Sequence, residues 1–263
     1  GAATHARDNA LEIITSRRNP VVTRCRDAAR TNGPGGPMLL EGRHLVDEAL
    51  AAELPLELVL VTAETTKDAD SAARLHQLER ITRVVQVPVP VMAAASPADS
   101  PSGLLALADR PAVTLEIALA GVTPLVVALV GVQDPGNTGA VIRAAEAGGA
   151  TGVVTVGGAD PFGWKALRGA MGSTLRVPIA RTQDIATLSV AASARPLRTL
   201  AAVPRGGTPI TQADLARPTL LCFGGEGGFD QDTVGEADEL ISIPMRPPVE
   251  SLNLAVASAL VIY

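Results

Sequence analysis

Aromatic residues are scarce in this chain of 263 residues, of which they make up 2%. The few that occur all lie in the second part of the chain, at Phe162, Trp164, Phe223, Phe229 and Tyr263. A module that holds single-stranded RNA by stacking bases on aromatic side chains is therefore difficult to build from residues 1–110. If that part of the chain binds RNA, we expect it to use arginine side chains, backbone groups and shape.

Cysteines and long apolar runs are also few. Cys25 and Cys222 have no neighbouring cysteine or histidine at zinc-site spacing, so the sequence predicts neither a disulfide framework nor a bound metal. The most hydrophobic run, LAGVTPLVVALVGV, is interrupted by Pro124 and is too short to cross a bilayer. The N-terminus has no apolar signal segment, and we therefore expect a cytoplasmic protein without a membrane anchor.

An excess of positive charge is absent as well, because the formal net charge is −5. The chain as a whole therefore lacks the electrostatic pattern typical of nucleic-acid binding. The first thirty residues are locally basic, with arginines at Arg7, Arg17, Arg18, Arg24, Arg26 and Arg30 and acidic residues at Asp8, Glu12 and Asp27. A solvated helix face and a patch that contacts phosphates both fit this pattern.

Hydrophobic periodicity indicates a small α/β domain in the first part of the chain. Residues 12–53 predict helices on either side of the break TNGPGGP. The segments LELVLVTA and RVVQVPVP predict strands, with the helix ADSAARLHQLERI between them. A stretch rich in proline, serine and alanine follows. We expect this domain to span residues 1–110 and a linker to span residues 111–123.

From residue 124 onward, apolar strands alternate with helices. The strands PLVVALVGV, TGVVTVGG and RVPIAR are each followed by a helical segment. Continuous Val/Ile/Leu strands separated by amphipathic helices are typical of a parallel sheet covered on both faces. The sequence therefore predicts a second α/β domain over residues 124–263.

The turn after the first of these strands, DPGNTGAVIRAAEAGGA, is a candidate site. Its glycines do not match the G-x-G-x-x-G fingerprint of dinucleotide folds, and Asp160 matches only weakly the acidic residue expected about 20 residues later. A helix that begins near Gly139 would have Asn137 at or just before its N-cap and Arg143 one turn inside. Arg143 then faces a cleft that holds an anion, or it forms a surface pair with Glu146; both interpretations stay open here.

Two later turns also combine glycine or proline with polar residues at the end of a strand. In LLCFGGEGGFD, four glycines surround Glu226, which lets the backbone approach a ligand closely. In ISIPMRPPVESLNLAVASAL, a strand ends at Ile243 and Pro244, and a helix follows with Ser251 or Glu250 as its expected N-cap. Because the carboxyl ends of parallel strands share one edge of a sheet, these turns predict a common site.

Together, DPGNTGAVIRAAEAGGA, GGEGG and IPM…SLNLAVASA resemble the three motifs of the SpoU/TrmH family of RNA ribose 2′-O-methyltransferases, in the SPOUT superfamily. The resemblance covers residues 124–263, and DPFGWKALRGAMGSTLRVPI fits the connecting stretch. Residues 12–108 resemble, less closely, the ribosomal-protein-like RNA-binding domain that precedes many of these enzymes. Its matching segments are LLEGRHLVDEAL and SPSGLLALA.

The resemblance implies a fold that residue patterns alone would never predict, a deep trefoil knot in which the C-terminal chain threads a loop. It also implies S-adenosylmethionine as cofactor, a homodimer formed through the C-terminal domain, and no metal. The implied substrate is RNA, with 23S rRNA favoured over tRNA. Members of the family usually have more helix after SLNLAVASA than the stretch to Tyr263, so we expect a chain trimmed at this end.

The resemblance assigns roles to individual residues. The polar set at the motif positions, implied to be catalytic, comprises Asn137, Arg143, Glu226, Ser251 and Asn253. The residues implied to contact the cofactor are Gly224, Gly225, Glu226, Gly227, Ile243, Pro244, Met245, Ser251, Leu252 and Asn253.

Arg143 is the family's proposed activator of the ribose hydroxyl. A guanidinium has a pKa above about 12, so it is a poor free base at neutral pH. Our hypothesis is that Arg143 holds the ribose and the adjacent phosphate and stabilises developing alkoxide charge. Two further arginines, Arg168 and Arg176, either line an RNA path or are solvated surface residues.

Two other classes of function fit parts of the sequence. A nicotinamide-dinucleotide oxidoreductase would use the strand–turn–helix unit, although its glycine fingerprint is broken. A non-catalytic RNA-binding module would use the basic N-terminal segment, but it would have no need of Asn137, Arg143 and Glu226 together.

Overall fold

The computed structural model describes residues 11–31 and 35–263. Arg7 and Asp8 of the basic segment, and residues 32–34 of the break TNGPGGP, lie outside the described residues. The chain forms two compact units, of which the first ends at Asp109 and the second begins at Arg110.

The first unit has a mixed sheet with the strand order β1-β4-β3-β5-β2. Its strands are β1 (Glu12–Ile13), β2 (Met38–Glu41), β3 (Leu56–Val61), β4 (Arg83–Gln86) and β5 (Leu104–Ala108). Its helices are α1 (Pro20–Arg30), α2 (Arg43–Ala51), α3 (Ala69–Ile81) and α4 (Val89–Ala95), with a short 3₁₀ helix at Ala63–Thr66. Strand β4 is parallel to its neighbours, whereas β5 is antiparallel to both β3 and β2.

Two helices of this unit, α1 and α3, begin at residues whose side chains cap them. Asn19 accepts a hydrogen bond from the Val21 amide at 2.9 Å, with Pro20 at the first helical position of α1. Asp68 caps α3 in the same way, through the Ser71 amide. The predicted helix ADSAARLHQLERI is confirmed residue for residue as α3.

Three strands and one helix of the first unit were missed by the sequence patterns. Strands β1 and β2 lie in a region for which only helices are predicted, α4 begins within the predicted strand RVVQVPVP, and β5 lies in the stretch rich in proline, serine and alanine. Strand β5 pairs on both sides and all five of its residues are buried. A strand buried on both faces shows no polar–apolar alternation, so its sequence does not distinguish it from other short apolar runs.

The second unit has a seven-stranded sheet with the order β10-β12-β9-β11-β6-β7-β8. Its strands are β6 (Leu125–Val130), β7 (Gly152–Val156), β8 (Ile179–Thr182), β9 (Arg198–Ala202), β10 (Thr208–Pro209), β11 (Thr219–Gly224) and β12 (Glu239–Ser242). Its helices are α5 (Leu115–Ala118), α6 (Pro135–Ala147), α7 (Trp164–Ala170), α8 (Ile185–Ser193), α9 (Gln231–Gly235) and α10 (Leu254–Ile262), with a 3₁₀ helix at Ser173–Leu175. Every strand pairing is parallel, as the sequence predicts.

Helix α6 begins earlier than the sequence analysis expects. Asp134 is its N-cap and accepts a hydrogen bond from the Asn137 amide at 2.6 Å, and Pro135 occupies the first helical position. Asn137 is therefore inside the first turn and does not cap the helix. Gly139 lies within this helix, and glycine is needed there because a Cβ would stand 2.8 Å from the Ala170 amide nitrogen of α7. The glycine thus marks a close contact between α6 and α7, and the expected helix start near Gly139 is wrong.

Residues 111–123, expected as a linker, include α5. Ala118 of this helix is fully buried, and its backbone packs against Gly152 at the start of β7. Ala118 and Leu119 belong to the apolar cluster on one face of the sheet, together with residues of β6, β7 and α8. This segment is therefore packed onto the second unit instead of running freely between the two units.

Both cysteines are buried free thiols. Cys25 is buried in the first unit and Cys222 in the second, and neither forms a disulfide. Burial raises the pKa of each thiol to about 12, so both are neutral at physiological pH. Within residues 11–31 and 35–263, no group of three or more His, Cys, Asp or Glu residues is arranged to hold a metal ion. No helix in the same ranges has the length and apolar character needed to span a membrane.

Candidate functional site

The three polar turns predicted from the sequence meet at the carboxyl edge of the seven-stranded sheet. They enclose a cavity of about 370 Å³, lined by segments that follow β9, β11 and β12 and by the first turns of α6 and α10. Its lining includes most of the predicted residues: Asn137, Gly224, Gly225, Glu226, Ile243, Met245, Ser251, Leu252 and Asn253. A volume of this size falls within the range of about 300–1,000 Å³ that is usual for small-molecule sites.

The glycine-rich segment after β11 forms a tight turn over this cavity. The Gly228 amide donates a hydrogen bond to the Gly225 carbonyl at 2.9 Å, which places Glu226 at the exposed tip of the turn. The Gly225 amide donates to the Val130 carbonyl at 3.0 Å. A Cβ on Gly225 would lie 2.5 Å from the Gly131 carbonyl oxygen, so only glycine lets the turns after β6 and β11 approach so closely.

Helix α10 begins two residues later than the sequence analysis expects. Its N-cap is Asn253, not Ser251 or Glu250. The Asn253 side-chain oxygen accepts hydrogen bonds from the Ala255 amide at 2.9 Å and the Val256 amide at 3.3 Å. Asparagine is among the strongest N-cap residues, and a short segment with several polar candidates does not reveal which of them caps the helix.

Asn253 also links two of the predicted motifs. Because its side-chain oxygen is occupied by the helix cap, its Nδ2 group is left to donate, and it donates to Asn137 Oδ1 at 3.2 Å. This bond joins residues 116 positions apart in the chain. It fixes the orientation of the Asn137 amide, whose own Nδ2 group is then available to donate toward a bound substrate.

Helix α10 runs parallel to α6 and packs along it. The two helices meet through Asn253 and Asn137 at their amino ends, and at their other ends Ile262 packs against Gly148. Phe223 of β11 lines the cavity together with Ala257 and Val261 of α10. The cavity is therefore floored by the sheet and walled by α10.

Arg143 lies on the exposed side of α6 and does not line the cavity. Its guanidinium makes no hydrogen bond or ion pair within the described residues. The alternative surface pair with Glu146 is wrong, because Glu146 instead binds Arg176 through two hydrogen bonds of 2.7 and 2.9 Å. The Arg176 guanidinium lowers the pKa of Glu146 below its usual range. Among the described residues, Arg143 is thus an unpaired cation, six residues after Asn137 in α6.

Some predicted positions lie outside the cavity, and some lining residues were missed. Gly227 lines a second, adjacent cavity of about 360 Å³, and Pro244 lines neither. The missed lining residues include Ala202, the last residue of β9, and Val203 and Pro204, which follow it. The signal that could have identified them is the Pro-Arg-Gly-Gly turn directly after an apolar strand, at the same edge of the parallel sheet.

Asp160 has a structural role that excludes it as a ribose ligand. Its side chain is 1% exposed, and it forms ion pairs with Arg110 at 2.8 Å and with Arg181 at 3.1 Å. Its Oδ1 atom also accepts a hydrogen bond from the Phe162 amide at 3.1 Å. The weak resemblance to a dinucleotide fingerprint therefore has no structural counterpart at this residue.

Comparison with known proteins identifies the family. The sequence profile of the SpoU rRNA Methylase family matches residues 124–263, the part that contains the cavity and all three turns. The chain belongs to the SpoU rRNA methylase family. The profile of the MRM3-like substrate binding domain matches residues 34–106 of this SpoU-family chain.

Similar proteins extend over almost the whole SpoU-family chain. An uncharacterized tRNA/rRNA methyltransferase of Synechocystis is 32% identical over 96% of this chain and 93% of its own length. The 23S rRNA (guanosine(2553)-2′-O)-methyltransferase RlmP of Bacillus subtilis is 30% identical over 86% of each chain. The structure of an AdoMet-bound rRNA methyltransferase from Sinorhizobium meliloti superimposes with a TM-score of 0.79 at 28% identity, covering 96% of both chains. These matches establish an RNA methyltransferase.

Proposed function

We propose that this protein transfers a methyl group from S-adenosylmethionine to a ribose 2′-hydroxyl of 23S rRNA. The observation that carries the proposal is the cavity at the carboxyl edge of the sheet, which is lined by the oriented Asn137 amide and by the glycine turn of Glu226. The relative RlmP, whose name gives this reaction on 23S rRNA, supports the choice of substrate.

The residues of the cavity fit S-adenosylmethionine. Apolar side chains such as Ile243 and Leu252 suit the adenine ring, and backbone groups of Gly224, Gly225 and Met245 can bind the polar atoms. We propose the same role for Gly227 and Pro244 at the rim. When bound, S-adenosylmethionine supplies an electrophilic methyl group on a sulfonium centre. The AdoMet-bound relative from Sinorhizobium meliloti has a similar fold, which supports this assignment.

Arg143 is the residue that we assign to the ribose hydroxyl. Its guanidinium stays charged at neutral pH, so it acts by stabilising negative charge on the hydroxyl oxygen as the proton leaves. Holding the hydroxyl in line with the methyl group can lower the activation barrier by about 7–11 kcal/mol. An unpaired arginine on the exposed side of α6 has its full hydrogen-bonding capacity available for this task.

The other polar residues orient the substrate. Asn137 donates through Nδ2, and Asn253 acts as a positioning residue because it holds the Asn137 amide in place. Glu226 at the tip of its turn and Ser251 beside the α10 cap line the cavity, and we assign them to binding the ribose and the cofactor.

The first unit would bind the RNA substrate. Residues 1–110 form the domain that we assign to this role, and the match of residues 34–106 to a substrate binding domain supports it. Residues 124–263 would form the methyltransferase domain. We place the reaction in the cytoplasm, and the free thiols of Cys25 and Cys222 are compatible with a reducing compartment.

We also propose that the C-terminal segment is knotted. Strands β9 and β11 lie between β12 and β6 in the sheet, yet α10, which follows β12, packs beside α6. Residues 243–253 must therefore cross the ends of two strands to reach α6, passing the turns that line the cavity. Threading of this segment through a loop would make the deep trefoil knot that the family resemblance implies.

The outer face of α10 supports a homodimer. Val256 and Leu260 are each 51% exposed in this almost entirely apolar helix, and Tyr263, directly after it, is 81% exposed. Exposed apolar side chains at a spacing of three to four residues form one stripe on a helix. We propose that a second copy of the chain covers this stripe.

Substitutions at Asn253 distinguish its two roles, the cap of α10 and the hydrogen bond to Asn137. Aspartate is also a strong N-cap, so Asn253→Asp should keep α10 stable while removing the donor to Asn137. We expect the N253D variant to lose about tenfold or more in kcat with an unchanged Tm, and Asn253→Ala to lower both. Steady-state methyl transfer and thermal unfolding measure the two effects. Full activity in N253D would contradict the positioning role.

The proposed function is tested by transfer of labelled methyl groups to purified RNA. Wild-type protein and labelled S-adenosylmethionine are incubated with 23S rRNA or with tRNA, and 2′-O-methylated nucleotides are mapped by their resistance to alkaline cleavage. We expect label in 23S rRNA at a ribose. Label in tRNA alone would show that the substrate is tRNA and not 23S rRNA. Label on a base would overturn the proposed reaction.

A further inference from the structure

Arg168 and Arg176 are eight residues apart but have different surroundings. The Arg176 guanidinium is bound to the Glu146 carboxylate, so its charge is neutralised locally. Arg168, on α7, is exposed and forms no hydrogen bond or ion pair with any described residue. The sequence left two interpretations open for both arginines, lining of an RNA path or a solvated surface position, and the structure now distinguishes Arg168 from Arg176. Arg176 belongs to a surface ion pair, whereas Arg168 has no polar partner among residues 11–31 and 35–263.

Arg168 is placed beside the first turn of α6. Its chain neighbour Gly169 packs against this turn, where a Cβ on Gly169 would lie 3.3 Å from the Gly136 carbonyl oxygen and 3.5 Å from the Gly139 Cα atom. Asn137 lies in the same turn and lines the cavity. The backbone of Arg168 is therefore close to the residues that would receive the target nucleotide.

Further positive charge lies around this contact. Lys165 is exposed one turn before Arg168 on α7, where its ammonium is 5.8 Å from the centre of the Trp164 ring. Arg143 is exposed one turn after Gly139 on α6. The N-cap of α6, Asp134, adds one exposed carboxylate, whose Oδ1 atom accepts a hydrogen bond from the Asn137 amide. In a chain of net charge −5, adjoining turns of two packed helices thus present three cations.

We propose that Arg168, assisted by Lys165, binds a phosphate of the RNA backbone next to the nucleotide whose ribose meets Arg143. The inference rests on the proposed function, because it requires RNA at this edge of the sheet. An arginine guanidinium binds phosphate through two parallel hydrogen bonds, and an exposed arginine without partners can form them without breaking an existing contact. Such a contact positions the strand without reading its sequence.

The test compares Arg168→Ala with a matched arginine at the opposite edge of the sheet. Arg217 is exposed, and its side chain has no hydrogen bond or ion pair within the described residues. It precedes β11 at the amino end of the strand, whereas the cavity lies at the carboxyl end. R168A and R217A therefore remove the same charge from the same unit.

Binding of each variant to a 23S rRNA transcript is measured by filter retention at several salt concentrations, together with S-adenosylmethionine affinity and Tm. We expect R168A to bind RNA about tenfold more weakly at physiological salt. The slope of log affinity against log salt should become shallower by about 0.7 to 0.9. Arg168→Lys should restore the salt slope and part of the affinity. R217A should match wild type, and cofactor affinity and Tm should be unchanged in all variants.

RNA affinities of R168A and R217A that are equal would overturn the inference, as would a loss of cofactor affinity or Tm in R168A alone. Failure of the proposed function is a different result. In that case the wild-type protein transfers no methyl group to any RNA, while the binding comparison still decides whether Arg168 contacts phosphate.

Discussion

Replacement of Arg143 with alanine is expected to lower kcat for RNA methylation by about 100- to 1,000-fold while leaving the affinity for S-adenosylmethionine nearly unchanged. Removal of a single group that stabilises developing oxyanion charge typically has an effect of this size. Cofactor affinity should persist because Arg143 does not line the cavity. Steady-state methyl transfer measures kcat, and calorimetric titration measures the affinity for S-adenosylmethionine.

Two further variants test whether the loss in Arg143→Ala comes from the geometry of the guanidinium at this position or from the removal of a positive charge. Arg143→Lys keeps the charge but lacks the planar, forked arrangement of donors, so it should recover only part of the rate. Arg217→Ala, at the far edge of the sheet, should have the wild-type rate. An R143A variant that methylates RNA at a rate near that of wild type would show that another residue activates the hydroxyl.

Replacement of Gly139 with alanine should destabilise the second unit, although the same change in an exposed helix is usually stabilising by up to about 1 kcal/mol. The added Cβ would lie 2.8 Å from the Ala170 amide nitrogen and 3.0 Å from the Gly169 carbonyl carbon. Because these are backbone atoms, helices α6 and α7 must move apart. Overpacking of this kind is unfavourable by about 1–3 kcal/mol, and the expected fall in Tm is roughly 2–10 °C.

Gly235→Ala is the matched control for this steric argument. Gly235 ends helix α9, and a Cβ there would have no atom within 4 Å. We expect its Tm to equal or slightly exceed that of wild type in the same thermal scan. If G139A and G235A unfold at the same temperature, the close packing of α6 on α7 is not what requires glycine at position 139.

Much of the secondary structure of the second unit follows from local signals. Strands such as β6 and β7 are continuous apolar runs, and the helices between them begin at polar or proline-bearing turns. Errors occurred where a long-range contact overrides the local preference. In the sequence Gly139 looks like the start of a helix, but its glycine is required by the packing of α7 against α6. Strand β5 has no alternation of polar and apolar residues because both of its faces are buried.

The site was predictable to the extent that its residues share a chemical character. Polar and glycine-bearing turns at the ends of β6, β11 and β12 identify three sides of the cavity. The fourth side, at the end of β9, was missed because its lining residues Ala202, Val203 and Pro204 are apolar and the only signal there is the Pro-Arg-Gly-Gly turn that follows the strand. The bond between Asn253 and Asn137 joins residues 116 positions apart, and no local pattern specifies it. The partners of Arg176 and Asp160 were unpredictable for the same reason.

A crystal structure of the protein with S-adenosylmethionine tests the central claim most directly, namely that the converging turns form the methyl-donor site. We expect density for the cofactor in the cavity, in contact with residues 224–228, 242–245 and 251–254, with its methyl group facing the side of α6 that carries Asn137. Cofactor density elsewhere on the molecule, or an empty cavity in crystals grown at a saturating concentration, would contradict the account.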